Sequence, residues 1–155
     1  MSKTDATLIP EIKPEQSIEL LKELHILTRE GKLNQDTRRK LKQVYHLYQF
    51  IEPLMADVLE HKNSLNLVDH GAGKSYLGFI LYDLFLKKYE HAHVYGIETR
   101  AELVKKSTEL AERLGFSQGM SFKAMTVEES IETTELPEKI DIVTALHACM
   151  LLAMT

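Results

Sequence analysis

The sequence predicts an α/β fold, an open sheet of about four parallel strands preceded by a small N-terminal helical subdomain. Three observations carry that reading. After Asn63, short apolar runs alternate with stretches of helical spacing, a pattern that builds parallel strands joined by right-handed crossovers. Before Asn63 the apolar residues recur at helical spacing instead. Directly after the first apolar run comes the turn Asp69-His70-Gly71-Ala72-Gly73-Lys74-Ser75, and ligands of such sheets sit beyond the carboxyl ends of the strands.

The elements follow in order. Residues 1–16, with Pro10 and Pro14 among polar neighbours, read as an irregular arm. From Ser17, the spacing of Ile18, Leu21, Leu24 and Leu27 predicts a helix that Gly31 closes as a C-terminal cap. A second helix starts near Asn34 to Asp36, either of which can cap it, and runs through Leu41, Val44, Tyr45, Tyr48 and Ile51. Pro53 then kinks it or sits in the first turn of a third helix through Leu54, Val58 and Leu59. The expected division is 1–62 for the arm and helical subdomain and 63–155 for the sheet domain.

In the second part, LNLVD (65–69) is the first strand and SYLGFILYDLFLKKY the helix after it. Tyr76, Phe79, Tyr82 and Phe85 read as core on that helix, and Asp83 as part of a solvated face. HVYGIE (93–98) is the second strand. Thr99, with Glu102 three residues on, forms a capping box for a helix that runs to Leu114 and is closed by Gly115. SFKAM (121–125) is the third strand, followed by a solvated acidic stretch that ends at Pro137. IDIVTALHA (140–148) is the fourth strand with its exit loop.

Composition narrows the function classes. The 155 residues carry 19 Lys plus Arg against 23 Asp plus Glu, a formal net charge of −4, with 44% hydrophobic residues. That balance belongs to a chain able to bury a core and argues against binding nucleic acid through bulk charge. A local basic run remains, Arg38, Arg39, Lys40 and Lys42, of the kind that usually forms a solvated helix face. The single cysteine, Cys149, excludes an internal disulfide framework and a zinc ribbon. With no apolar run of membrane-spanning length and no signal-like stretch at the start, a cytoplasmic protein is the expectation.

Three ligands compete for the glycine turn. A phosphate loop ends in Gly-Lys-Ser, as Gly73-Lys74-Ser75 does, but its first glycine would fall at Val68. A dinucleotide fingerprint needs a third glycine where Tyr76 stands and does not suit Asp69, which would face the pyrophosphate. An acid at that strand end suits a cationic ligand without phosphate, and S-adenosylmethionine has a sulfonium and an ammonium. Glu98, at the end of the second strand, is placed to accept hydrogen bonds from a ribose diol.

The segments VDHGAGKSYLGFILYDLF, YGIETRAELV, LAERLGF and ALHAC carry a resemblance to S-adenosylmethionine-dependent methyltransferases with a Rossmann-like fold. More narrowly, the chain resembles a methyltransferase-domain family that reads near VDxGxGKGYLSFALY and ends its fourth strand with ALHACDTATD. The resemblance covers about residues 36–149. It implies a methyl donor cradled by Asp69, His70, Gly71, Ala72 and Gly73. It also implies a ribose held at Glu98 and Thr99, and an adenine against Ala124, Met125 and Thr126, with Leu146 completing the cofactor-binding set. Ser75 stands where that family commonly has glycine.

His147, at the exit of the fourth strand, is the candidate catalytic residue, while Cys149 reads as a small buried hydrophobe. His91 and His93 read as a solvent-facing loop rather than metal ligands. RNA is the favoured acceptor, with the basic run as its backbone contact; protein and small-molecule acceptors are the alternatives. A reading from a different class is a non-catalytic binding or interaction module on the same half-sheet.

After Cys149 the sequence leaves the resemblance and ends in MLLAMT, which reads as a Rossmann-like sheet truncated after its fourth strand by a shifted reading frame. The edge of that strand and the apolar tail Met150 to Met154 are expected to join copies of the chain into a dimer or larger oligomer.

Overall fold

The computed structural model describes residues 11–72 and 77–145. Gly73, Tyr76, Leu146, His147, Cys149 and the apolar tail lie outside the described residues. The chain divides into two compact units, Met1–Ile51 and Glu52–Thr155.

In the first unit, helix α1 (Ile18–Glu23) is capped by Ser17, whose side chain accepts from the Leu20 N–H at 3.1 Å. It stops far short of Gly31. His25 takes a left-handed conformation (φ 60°), and the N–H groups of Ile26 and Leu27 both donate to the Leu21 carbonyl. This early turn takes Ile26 and Leu27 into the interior beside the buried Leu20 and Leu21, which outweighs continued helical spacing. Gly31 lies instead in the turn that joins Thr28 to Lys32. The arm is not wholly peripheral, since Ile12 and Gln16 are buried.

Helix α2 (Gln35–Lys62) is a single helix with Pro53 inside it, so no third helix begins there. Asn34 and Thr37 cap it reciprocally, each side chain accepting from the other's backbone N–H at 2.8 Å. Arg38, Arg39 and Lys42 are exposed on this helix. Arg38 reaches Glu11 at 3.1 Å and Arg39 reaches Asp36 at 3.4 Å, surface pairs worth little stability.

The second unit holds the sheet. Its strands are β1 (Leu65–His70), β2 (Ala92–Glu98), β3 (Met120–Ala124) and β4 (Ile142–Thr144). All pairings are parallel, in the order β3-β2-β1-β4. This is the α/β partial Rossmann-like sheet that the sequence predicts, with the fourth strand beside the first. The chain steps outward from β1 to β3 and then returns to the other side of β1. That reversal makes the β1–β4 boundary the switch point where such sheets open a crevice.

Helices α3 (Leu77–Leu84) and α4 (Ala101–Leu114) follow β1 and β2. Every residue of α3 is buried, so Asp83 lies in the interior rather than on a solvated face; Lys87, one turn on, meets its carboxylate at 2.8 Å. Phe79, Tyr82 and Phe85 are core, with Phe79 stacked on Phe122 and Tyr82 edge-on to Phe116. Gly115 ends α4 in a left-handed conformation. The acidic stretch begins with a helix, α5 (Val127–Glu132), which Thr126 starts with a complete capping box to Glu129. Asp141 ties the starts of β1 and β4 together, accepting from the Asn66 N–H at 2.8 Å and from Lys62 at 2.6 Å.

Candidate functional site

The carboxyl ends of β1, β2 and β3 converge around a cavity of about 230 Å³, lined by His70, Gly71, Ile97, Glu98, Thr99, Arg100, Met125 and Val127. Five residues expected at the cofactor site, His70, Gly71, Glu98, Thr99 and Met125, therefore stand together. Of the other described ones, Ala124 pairs in register with Glu98, Thr126 caps α5, and Asp69 and Ala72 lie in the interior.

The turn after β1 is built on β2. The N–H groups of Gly71 and Ala72 both donate to the Ile97 carbonyl, at 2.8 and 3.1 Å. Gly71 has φ 71°, and no atom of the described residues stands within 4 Å of where its Cβ would be, so glycine serves the backbone conformation there rather than packing against them. With these two donors already engaged, this part of the turn is not an anion cradle of the kind that phosphate loops provide.

Asp69 is only 1% exposed. Its Oδ1 accepts from the Thr144 hydroxyl at 2.7 Å, which links the switch-point strands through a buried hydrogen bond. Its Oδ2 lies close to Gly78 of α3, and Asp69 is not among the residues that line the cavity.

Glu98 is buried to 4% exposure at the end of β2. Its Oε2 accepts from the Arg100 N–H at 2.9 Å and from Arg100 Nε at 2.7 Å, and its Oε1 from Arg100 Nη2 at 3.2 Å. The hydrogen bonds to Glu98 raise the Arg100 pKa above its ordinary value. The Thr99 hydroxyl donates weakly to Glu98 Oε2 at 3.4 Å instead of capping α4. The cap position falls to Arg100, which makes no side-chain capping bond. The expected Thr99–Glu102 capping box is thus replaced by the Glu98–Arg100 pair.

Residues that sequence reasoning missed are Ile97, Arg100 and Val127. Arg100 had a signal, a planar five-donor fork two residues after a strand-end acid. Val127 had none in its spacing; it is visible only as a half-exposed aliphatic side chain at the cavity rim.

A second cavity, of about 450 Å³, lies at the switch point. Val68, Ile131, Leu136, Ile140 and Val143 give it apolar walls, and His70 lines it as well as the first cavity. His70 Nδ1 is buried and finds no hydrogen-bond partner among the described residues, and burial lowers the His70 pKa. His93 is not in a loop: it lies in β2, half-buried, with Nε2 2.8 Å from the Ser121 hydroxyl. Burial, the largest cause, together with the Lys123 charge, lowers its pKa against a hydrogen bond from its ring to the Gln118 backbone that raises it. Among the described residues, no group of three acidic, histidine or cysteine side chains is placed to hold a metal ion.

These two histidines set a pH dependence. Both pKa values are lowered in the folded chain, chiefly by burial, so the unfolded chain takes up their protons first as pH falls below about 6.5. Stability is expected to be flat above that pH and to decline below it, down to the folded-state pKa values. Urea unfolding at a series of pH values checks this, and the His93→Gln variant should show a shallower decline. A parent midpoint that rises on acidification through this window would overturn the sign.

No helix among the described residues is long and apolar enough to cross a membrane. A methyltransferase-domain family model matches residues 39–155. No curated protein matches the chain.

Proposed function

The chain belongs to the methyltransferase-domain family, and from that premise we propose that it binds S-adenosylmethionine at the ends of β1, β2 and β3 for methyl transfer to an acceptor. The observation that carries the reading is Glu98, a buried carboxylate at a strand terminus beside a cavity whose other walls include Gly71, Ile97, Met125 and Val127. Those residues fit the parts of that molecule. Glu98 offers two acceptor oxygens to a ribose diol. Ile97, Met125 and Val127 offer apolar surface to a purine, and Gly71 allows close backbone approach. Asp69, a carboxylate at the end of β1 next to the cavity-lining His70, suits a cationic ligand better than a phosphate.

When bound, S-adenosylmethionine supplies an electrophilic methyl group on a sulfonium. The residues of the chain bind and orient, and alignment of this kind is worth up to ~7–11 kcal/mol of barrier. His70, which lines both cavities and whose pKa burial lowers, can in its neutral form accept a proton from an acceptor lodged at the switch point. RNA is the acceptor we favour, with the exposed Arg38, Arg39 and Lys42 and the neighbouring Lys40 meeting its phosphates.

Calorimetry with S-adenosylmethionine and with its demethylated product tests the donor reading; no binding at millimolar ligand by folded protein leaves an interaction module. Transfer of labelled methyl to RNA, protein and metabolite pools tests the acceptor.

The reading extends to self-association. Among the described residues no strand covers the far side of β4, and Val143 on that strand is 51% exposed. Unpaired strand edges recruit other chains, so a dimer or larger oligomer is expected through this edge or the apolar tail. Sedimentation at several concentrations checks it against a chain cut after Ala148. A parent that stays monomeric at the highest concentration rules it out.

A further inference from the structure

We infer that Arg100 is a latch on the ribose subsite: its guanidinium holds both oxygens of Glu98 in the free chain and must let go before a vicinal diol binds there. The inference rests on the donor reading above, and it adds a residue that sets how tightly diol-bearing ligands bind.

The geometry makes the competition direct. A carboxylate oxygen offers two lone pairs, and Glu98 Oε2 already accepts from the backbone N–H and the Nε–H of Arg100, at 2.9 and 2.7 Å, with the Thr99 hydroxyl a longer third donor at 3.4 Å. Oε1 meets the same guanidinium through Nη2 at 3.2 Å. A diol that donates to both oxygens therefore meets the Arg100 fork at each of them. The backbone donor can stay, but the side chain cannot.

Burial decides which partner moves. The Glu98 side chain is 3% exposed and fixed at the strand end, whereas the Arg100 side chain is 42% exposed. Arg100 can swing into water, and Glu102, two residues on, also attracts it. The guanidinium thus compensates a buried carboxylate while the subsite is empty and gives it up to two neutral hydroxyls when a nucleoside arrives. Exchanging a charged partner for neutral ones lowers the affinity that Glu98 would otherwise give.

The test is calorimetry with S-adenosylhomocysteine and its 2′-deoxy analogue on the parent, Arg100→Ala and Arg100→Gln, each checked for folding by circular dichroism. Both variants keep the backbone donor, and Arg100→Gln keeps most of the side-chain length if Ala perturbs the helix start. The expected result is roughly three- to tenfold tighter binding of S-adenosylhomocysteine by either variant, the range that one partly exposed ion pair spans. The 2′-deoxy analogue, which cannot engage both oxygens, should gain little. Added salt should tighten the parent and leave Arg100→Ala unchanged. Equal or weaker binding of S-adenosylhomocysteine by both variants overturns the latch while leaving the donor reading intact. Folded parent and variants that all fail to bind either ligand overturn the donor reading and the latch with it.

Discussion

Glu98→Ala is expected to weaken S-adenosylmethionine binding roughly ten- to a hundredfold, the equivalent of about 1.5–3 kcal/mol for hydrogen bonds to a charged acceptor. The loss is smaller than two independent bonds would give, because the substitution also removes the anchor of Arg100 and so abolishes the competition at the subsite. Glu98→Gln should fall between parent and Ala, since it keeps one acceptor oxygen and places a donor where the second was. A double variant, Glu98→Ala with Arg100→Ala, should bind like Glu98→Ala alone, because Arg100 acts on the ligand through Glu98; such non-additivity marks residues that share one interaction. Asp69→Asn should weaken binding as well, by removing a carboxylate at the end of β1 while its side chain can still accept from Thr144. Calorimetry on folded variants reads all four. Parent-like affinity in both Glu98→Ala and Asp69→Asn would show that the ligand does not sit at these strand ends.

How far the sequence disclosed this site depends on which physical signals are local. The alternation of apolar runs with helical spacing, and the turn glycines between them, are local, and the strands with their parallel pairing follow from them. Capping signatures show the limit. Thr99-x-x-Glu102 and Thr126-x-x-Glu129 carry the same Ser/Thr-x-x-Glu pattern, yet only the second forms a capping box. At Thr99 a buried carboxylate one residue earlier takes the hydroxyl and both donor types of Arg100, and the helix starts one residue later. Nothing in the spacing reveals that Glu98 would be buried enough to prevail. Asp83 illustrates the same limit from the other side. A charged residue on a helix reads as surface until the helix proves to be enclosed on every face, with Lys87 one turn on to meet the charge. The early stop of α1 at Glu23 is likewise a tertiary decision, made where Ile26 and Leu27 gain burial.

Gly96→Ala is expected to destabilise the sheet unit by about 1–3 kcal/mol, the usual cost of overpacking a filled interior, and to weaken donor binding with it. Strand propensity alone predicts the opposite sign, since glycine inside a strand costs stability relative to residues with a side chain. The crowding is what decides. A Cβ on Gly96 would stand 2.7 Å from Phe122 Cε1 and 2.8 Å from the Ala72 Cβ, well inside contact distance on two sides. Neither neighbour yields freely. Phe122 stacks on the buried Phe79 with ring centroids 5.4 Å apart, and Ala72 is held to β2 by its hydrogen bond to the Ile97 carbonyl. Relief must come partly from Ala72, and moving Ala72 moves the turn that shapes the cavity at Gly71. A companion change separates crowding from backbone effects. Phe122→Leu removes ring atoms from one side, so in that background Gly96→Ala should cost less than it does in the parent. Gly71→Asn provides the contrast, because among the described residues no atom stands within 4 Å of a Cβ there and asparagine tolerates a left-handed backbone; its cost should be the smaller. Urea unfolding gives the stabilities, and calorimetry on the same samples gives the coupling to the site. A Gly96→Ala chain that unfolds at or above the parent midpoint would refute the packing argument, and with it the claim that the missing side chain at Gly96 makes room for Ala72.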